Sequence, residues 1–225
     1  MTAAQHSFSV EDALAHLRKV DPLLGALIER AGAYDAPRRS DPYAALVRAI
    51  LFQQLAGAAA SAIQKRFFAL HEPVDVAPTP EQILALTDEQ FRAAGLSRQK
   101  MGYLRDLALH VMDGRLDLQA LPALPDEEVV QRITAVKGLG EWSAHMFLMF
   151  HLGRPDVLPT GDLGVRNGMR ITYGLEAAPT PKEALLIGAP WAPYRSVGSW
   201  YMWRAVEAVP PDLMAEWGDG PAQPA

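Results

Sequence analysis

Apolar side chains recur every three or four residues along most of the chain, and the interruptions carry helix-capping residues. This period buries one face of an α-helix, whereas strands bury every second side chain. The helix predicted after Asp41-Pro42 shows the spacing at Tyr43, Leu46, Val47, Ile50 and Leu51. The pattern therefore predicts an all-α fold of roughly ten helices, with no convincing strand.

Several helix starts are marked by a threonine with Glu or Gln three residues later, at 79–82, 87–90 and 180–183. In such a capping box each side chain bonds the other residue's backbone N–H. Ser97 is predicted to be the N-cap of a longer helix that runs to about Met112. Gly114, just beyond it, is the expected stop signal. Another helix is predicted from Pro125 to Ala135.

The amino-acid composition excludes several kinds of functional site. The 225 residues contain no cysteine, which excludes disulfides, thiolate zinc sites and iron-sulfur clusters within the chain. A net charge of -5 argues against coating nucleic acid through global charge, so any phosphate contacts have to be concentrated on one face. The first twenty residues do not resemble a signal peptide, and no later segment has the length of a membrane span. We therefore expect a cytoplasmic protein.

The most informative segment begins where two apolar helices meet at Val136-Lys137-Gly138-Leu139-Gly140. Glycines at such a corner permit positive φ and leave backbone amides open to a ligand, so the turn and the following helix N-terminus can hold a phosphate. Lys137 adds a positive charge beside them. Taken alone, this Gly-x-Gly corner is explained better as an ordinary connection between helices.

Downstream, Leu158-Pro159-Thr160-Gly161-Asp162 precedes another predicted helix. Together with the hairpin, this loop resembles the helix-hairpin-helix DNA glycosylase superfamily, and within it is similar to the 3-methyladenine DNA glycosylase II branch. The segment 50–55, ILFQQL, resembles the family's glutamine-rich turn that enters the minor groove, and 191–203 resembles its C-terminal helix. The resemblance covers most of residues 41 to 208.

The resemblance implies a two-lobed, all-α fold. One lobe would span 41–149 and contain the hairpin, and the second would combine 1–40 with 150–225 and carry the catalytic aspartate. The N-terminal β domain of many members is not expected here. The implied partner is damaged double-stranded DNA, bound by a monomer.

Asp162 is the residue to which the resemblance assigns catalysis. An ionised carboxylate stabilises the positive charge that develops on a sugar as its base leaves, and it can orient the attacking water. An N-cap on the helix starting at Leu163 is the alternative interpretation, and both roles are compatible. Members that also cut the strand use a lysine two residues after the second hairpin glycine. That position is Trp142 here, which predicts a monofunctional hydrolase.

The resemblance places Trp142 and Trp203 in the pocket for the damaged base, with Tyr194 and Phe52 as neighbours. Stacking on aromatic rings suits alkylated purines because they carry positive charge. Ordinary core packing explains the two tryptophans equally well and Phe52 better. A tyrosine often found four residues after the first tryptophan is Met146 here, which leaves the selectivity for the base open.

A flipped base leaves a gap that an apolar wedge can fill. Leu55, flanked by Gln53 and Gln54, is predicted to be this wedge, and a buried core leucine is the alternative. Phosphate contacts are predicted at Lys137, Gly138, Gly140, Arg166 and Arg170, and the other basic candidates are Arg98, Lys100, Arg105 and Arg195.

The only cofactor implied is a monovalent cation, sodium or potassium. Family members bound to DNA hold it with hairpin carbonyls that correspond to Thr134, Val136 and Leu139. No other cofactor is expected, and histidines 71, 110, 145 and 151 lack metal-ligand spacing.

Three other interpretations stay open. A glycosylase for etheno, deaminated or oxidised bases would differ in pocket shape alone. A non-catalytic helix-hairpin-helix module would keep Gly138 and Gly140 but need neither Asp162 nor the Gln-Gln-Leu turn. A helical interaction protein would explain the negative charge but not the spacing of the motifs.

Overall fold

The computed structural model describes residues 8–37, 41–54 and 57–209, and this part of the chain is helical without a β-strand. The all-α prediction is confirmed. Within these ranges the α-helices are, in chain order, α1 (Val10–Val20), α2 (Pro22–Ala31), α3 (Pro42–Phe52), α4 (Gly57–Phe68), α5 (Pro80–Ala85), α6 (Asp88–Ala94), α7 (Arg98–Met112), α8 (Asp126–Thr134), α9 (Glu141–Phe147), α10 (Leu163–Tyr173), α11 (Pro181–Gly188) and α12 (Arg195–Glu207). Short 3₁₀ turns lie at Leu121–Ala123 and Ala189–Trp191, and α9 continues as a π-turn over Leu148–Leu152.

The predicted caps are confirmed. Thr79, Thr87 and Thr180 each form both hydrogen bonds of a capping box. Ser97 accepts from the backbone N–H of Lys100 and starts α7, which ends at Met112 as expected. No helix in the described ranges is both long and apolar enough to cross a membrane.

The described residues fall into two compact units. The first consists of 8–37 and 153–209, and the second of 41–54 and 57–152. In the first unit α12 is the central helix: it packs against α1, α2 and α10, and every residue from Ser196 to Trp203 is buried. Helices α10 and α12 cross closely, because a Cβ on Gly168 would lie 2.2 Å from the carbonyl oxygen of Met202. Glycine at position 168 thus lets α10 approach the core helix.

In the second unit α3 packs against α4, α7 and α9, while α5 and α6 pack on α7. Its core contains large apolar side chains without solvent exposure, and the rings of Phe67 and Phe91 stack 5.8 Å apart. Helices α8 and α9 contact each other and are joined by the Gly-x-Gly corner. The core therefore fixes α3, α7 and the hairpin within one unit.

Candidate active site and DNA interface

Asp162 lies at the N-cap of α10. Its Oδ1 accepts a hydrogen bond from the backbone N–H of Val165 at 2.7 Å and another from the indole N–H of Trp203 at 2.9 Å. The residue is 5% exposed. The structure therefore confirms the capping role, and it adds a buried tertiary hydrogen bond that joins α10 to α12.

The turn before Asp162 gives its backbone the extended conformation of a cap. The N–H of Asp162 donates to the carbonyl of Pro159 at 2.9 Å, and Asp162 has φ of -74° and ψ of 119°. Gly164 leaves space for the indole, because a Cβ there would lie 2.8 Å from Cδ1 of Trp203 and 3.0 Å from Oδ1 of Asp162. The carboxylate and the indole meet because position 164 has no side chain.

The loop ahead of this turn is held by the first residues of α12. Asp156 forms a bidentate pair with Arg195, with distances of 2.7 Å to Nε and 2.9 Å to a terminal nitrogen. The hydrogen bond to Asp156 raises the pKa of Arg195. Ser196 Oγ accepts from the N–H of Val157 at 2.9 Å and donates to the carbonyl of Arg154 at 2.7 Å. Arg195 therefore acts first as a structural partner of Asp156.

The hairpin between α8 and α9 is a tight turn. The N–H of Leu139 donates to the carbonyl of Val136 at 3.1 Å, and Gly138 has φ of +85°. Gly138 lies against the ring of Tyr103, where a Cβ would be 2.2 Å from Cδ2. Gly140 is the N-cap of α9 with φ of -104°, and within the described part of the chain a Cβ there would meet no atom within 4 Å. The two glycines therefore have different structural roles. Gly138 permits the turn, and Gly140 leaves open space beside the N-terminus of α9.

The hairpin is tied to the turn that follows α3. Gln53 Nε2 donates to the carbonyl of Gly138 at 2.6 Å. Gln54 is exposed and has φ of +57°, an uncommon conformation for a residue other than glycine. Leu55, the predicted wedge, lies outside the described residues. Sequence reasoning placed Gln53 beside the wedge, and the structure adds its bond to the hairpin.

Trp142 and Met146 line a small apolar cavity of about 40 Å³ on the face of α9 that packs against α3. The other predicted pocket residues have different surroundings. Trp203 contacts Asp162, the ring of Phe52 lies 3.7 Å below the guanidinium of Arg48, and Tyr194 lies within 6.0 Å of the rings of Phe8 and His16. Two of the five residues predicted for the base pocket therefore line this cavity.

The predicted phosphate contacts differ in how far they are engaged. Lys137 has 79% of its side chain exposed, and its Nζ lies 3.9 Å from Oδ1 of Asp106. Arg166 and Arg170 are half-buried on α10, and Arg166 donates to the carbonyl of Pro179 at 3.2 Å. Lys100 donates to the carbonyl of Leu51 at 2.6 Å, and its burial lowers its pKa. Lys100 therefore helps to end α3.

No cluster of three or more His, Asp or Glu side chains suited to a metal occurs in the described ranges. The proposed cation ligands are backbone carbonyls. Thr134 is the last residue of α8, where carbonyls lack intrahelical N–H donors, and the Val136 carbonyl, which accepts from Leu139, has a second lone pair. These hard oxygen donors fit a monovalent cation.

Comparison with known proteins places this geometry in context. The family described as HhH-GPD superfamily base excision DNA repair protein matches residues 47–193. DNA-3-methyladenine glycosylase 1 of Schizosaccharomyces pombe is 36% identical over 201 residues, which cover 87% of each chain. A putative DNA-3-methyladenine glycosylase of Bacillus subtilis is 30% identical over 88% of this chain and 70% of its own length.

Solved structures similar to this chain also include 3-methyladenine DNA glycosylases. A Schizosaccharomyces pombe 3-methyladenine DNA glycosylase in complex with abasic DNA is similar with a TM-score of 0.81 and 34% identity, over 88% of this chain and 97% of that one. A DNA-3-methyladenine glycosidase from Bacillus halodurans is similar with a TM-score of 0.77 and 37% identity, over 91% and 92% of the two chains.

Proposed function

Because the chain belongs to the HhH-GPD superfamily of base excision DNA repair proteins, we propose that it is a DNA glycosylase that excises alkylated bases such as 3-methyladenine from double-stranded DNA. Membership confirms the resemblance noted in the hairpin, the aspartate loop and the glutamine turn. The substrate class is supported by two relatives named as 3-methyladenine glycosylases that share 36% and 30% identity with most of the chain.

The observation that carries the proposal is the placement of the Asp162 carboxylate. Cleavage of an N-glycosidic bond develops positive charge on the sugar, and a negative group held beside that charge lowers the barrier. Two N–H donors converge on Oδ1 of Asp162, and neither can accept a hydrogen bond in return. With 5% exposure the carboxylate is largely shielded from water, which strengthens its electrostatic effect. Asp162 thus stabilises the cationic sugar and orients the attacking water.

The mechanism we propose is monofunctional and of the type II class. Strand cleavage through a Schiff base requires an amine at the reacting carbon. Helix α9 contains no lysine, and Trp142 stands where the resemblance implies that amine. The products are then a free base and an abasic site.

We place the DNA contacts at the hairpin and at the turn after α3. The open N-cap at Gly140, the helix N-terminus behind it and the exposed Lys137 suit a phosphate. Leu55, with Gln53 and Gln54, would fill the gap left by the flipped base. Arg166 and Arg170 would add contacts from α10. A single copy of the chain contains Asp162, the hairpin and the glutamine turn after α3. Because no second copy is needed to supply these parts, we propose that the protein acts as a monomer.

The carbonyls of Thr134, Val136 and Leu139 would hold the monovalent cation. When bound, it adds positive charge beside the hairpin. The protein's own contribution is the turn at Gly138, whose φ of +85° sets the course of the backbone between Val136 and Leu139. No chemical step depends on the cation.

Excision from defined duplexes tests the function. Duplexes that each carry one lesion (3-methyladenine, an etheno base, a deaminated base or an oxidised base) are incubated with the wild type and with Asp162→Asn, and abasic sites are then cleaved by alkali. Asparagine retains an oxygen for both hydrogen bonds and caps helices as well as aspartate does, so the variant loses charge and little else. We expect alkali-dependent breaks with the wild type alone. Equal activity of the two proteins would remove Asp162 from the mechanism.

The same assay separates the alternatives. Preference for an etheno, deaminated or oxidised base would reassign the lesion class, and duplex binding without excision would indicate a non-catalytic module. Borohydride trapping tests the monofunctional mechanism: no covalent complex should form with the wild type, and a trapped adduct would contradict the assignment.

A further inference from the structure

One face of α7 contacts two backbone segments: the end of α3, which leads into the glutamine turn, and the hairpin between α8 and α9. Lys100, Tyr103 and Asp106 lie three residues apart and therefore share a side of the helix. Lys100 donates to the carbonyl of Leu51, just before the glutamine turn. The ring of Tyr103 lies against Gly138, and Oδ2 of Asp106 accepts the backbone N–H of Lys137 at 2.8 Å. We call these three residues the α7 face.

Asp106 has a second set of contacts, with His110 near the end of α7 and, through His110, with Arg115. Its side chain is 15% exposed, and His110 Nδ1 lies 2.8 Å from the Asp106 carbonyl and 3.4 Å from Oδ2. Arg115 lies 3.0 Å from His110 Nε2. Because a guanidinium only donates, Nε2 accepts this bond and the Nδ1 proton points toward Asp106. Arg115 in turn pairs with Asp113 at 2.7 Å.

A carboxylate beside a phosphate-binding turn is electrostatically unfavourable, because it repels the approaching backbone. Asp106 therefore needs another role at this position. Its bond to Lys137 N–H, across 31 residues, fixes the backbone at the residue before Gly138. The bond from Gln53 to the Gly138 carbonyl fixes the peptide between Gly138 and Leu139 and links it to the glutamine turn.

We propose that Asp106 is a positioning residue that pre-organises the hairpin for phosphate binding, and that the α7 face and Gln53 hold hairpin and glutamine turn as one DNA-binding element. The inference rests on the proposed function only in taking DNA as the ligand. A turn ordered before binding loses less conformational entropy when it binds, so the affinity is higher. Asp106 acts through Lys137 and does not itself touch DNA.

The test uses four variants of the full chain. Asp106→Ala removes the acceptor, Asp106→Asn keeps an oxygen but loses the charge, and Asp106→Glu keeps the charge but displaces the oxygens. Glu89→Ala is the control, since it removes an exposed carboxylate of α6 that lies outside this network and pairs with Arg92. Dissociation constants are measured by anisotropy at one fixed salt concentration, with a fluorescein-labelled duplex containing a tetrahydrofuran abasic analogue.

We expect Asp106→Ala and Asp106→Glu to raise the dissociation constant about tenfold, the loss expected when an ordered loop becomes free. Asp106→Asn should stay within about threefold of the wild type, and Glu89→Ala should have the dissociation constant of the wild type. Hydrogen exchange of residues 136–140 should accelerate in Asp106→Ala and Asp106→Glu but not in Asp106→Asn or the control.

Two results would overturn the inference. Tighter binding by both the Ala and the Asn variant would show that Asp106 only repels phosphate. A lower melting temperature of Asp106→Ala, with unchanged duplex affinity and unchanged hydrogen exchange of residues 136–140, would show that Asp106 contributes only to stability. Should Asp106→Ala fail to fold, the Asn and Glu variants decide the question, because they separate charge from geometry. Binding is read without catalysis, so an absence of excision would remove the proposed function and leave this result standing.

Discussion

The indole N–H of Trp203 donates to Oδ1 of Asp162 at 2.9 Å and connects residues 41 positions apart in the chain. Both side chains are buried, with 4% exposure for Trp203 and 5% for Asp162. The carboxylate is thus placed by the core helix α12 as well as by the start of its own helix α10. Because we propose Asp162 as the catalytic carboxylate, we expect substitutions on either side of this contact to slow excision.

Trp203→Phe tests the contact directly. Phenylalanine keeps most of the apolar packing and removes the indole donor, so Oδ1 of Asp162 loses the hydrogen bond from position 203. We expect single-turnover excision to slow about ten- to hundredfold, because small displacements of a catalytic group are costly. The free energy of unfolding should fall by about 1.5–3 kcal/mol, the usual worth of a hydrogen bond to a charged group. Trp200→Phe is the control, since Trp200 packs on Tyr34 and Tyr201. Equal rates in the two variants would contradict a role for the indole N–H.

Gly164 and Gly161 form a matched pair on either side of Asp162. A Cβ at 164 would lie within 3.0 Å of Trp203 and Asp162, whereas one at 161 would meet no atom of the described residues within 4 Å. Gly164→Ala should therefore separate carboxylate and indole, reduce excision at least about tenfold and lower the melting temperature. Gly161→Ala should stay close to the wild type. If both variants were equally active, the fit between the three residues would not matter for the reaction.

Much of the local structure could be predicted from the chain because its signals are local. The capping boxes at Thr79, Thr87 and Thr180 and the ends of α7 need only neighbouring residues, and all were as expected. The predicted helix from Pro125 to Ala135 is observed as Asp126–Thr134, which differs only at its ends.

The contacts that shape the site could not be predicted in this way. Trp203 to Asp162, Asp106 to Lys137 and Gln53 to Gly138 connect residues 41, 31 and 85 positions apart. No local periodicity encodes such pairs, since they form only after the helices pack. The resemblance identified Asp162, but nothing in the sequence pairs its carboxylate with the indole of Trp203.

Tyr173 gives a prediction about alkaline pH. Its hydroxyl donates to Asp21 at 2.5 Å, and burial, together with this bond, raises its pKa above the ordinary value of 10.0. The folded state therefore holds the proton more tightly than the unfolded chain. The resulting stability is complete below pH 10 and is lost as the pH rises further, because the unfolded chain ionises first.

Urea unfolding at several pH values between about 9 and 11 should show this loss in the wild type. Tyr173→Phe should lose less stability across the same range, because one proton fewer is released on unfolding. Its stability at neutral pH should be lower, since Asp21 loses a donor. Parallel curves for the two proteins would argue that Tyr173 ionises normally in the folded state.

The two hairpin glycines should respond differently to alanine. Gly138 combines φ of +85° with the ring of Tyr103, where a Cβ would come within 2.2 Å, whereas Gly140 has φ of -104° and open space. Gly138→Ala should therefore destabilise the protein by at least about 2 kcal/mol in urea unfolding and also weaken duplex binding. Gly140→Ala should unfold like the wild type, because an alanine Cβ would lie more than 4 Å from the surrounding atoms of the described residues. Any loss of duplex affinity in Gly140→Ala would then come from the DNA side, where the methyl group occupies the space in which we place a phosphate. Full affinity with normal stability would move the phosphate away from Gly140 and leave the exposed Lys137 as the contact.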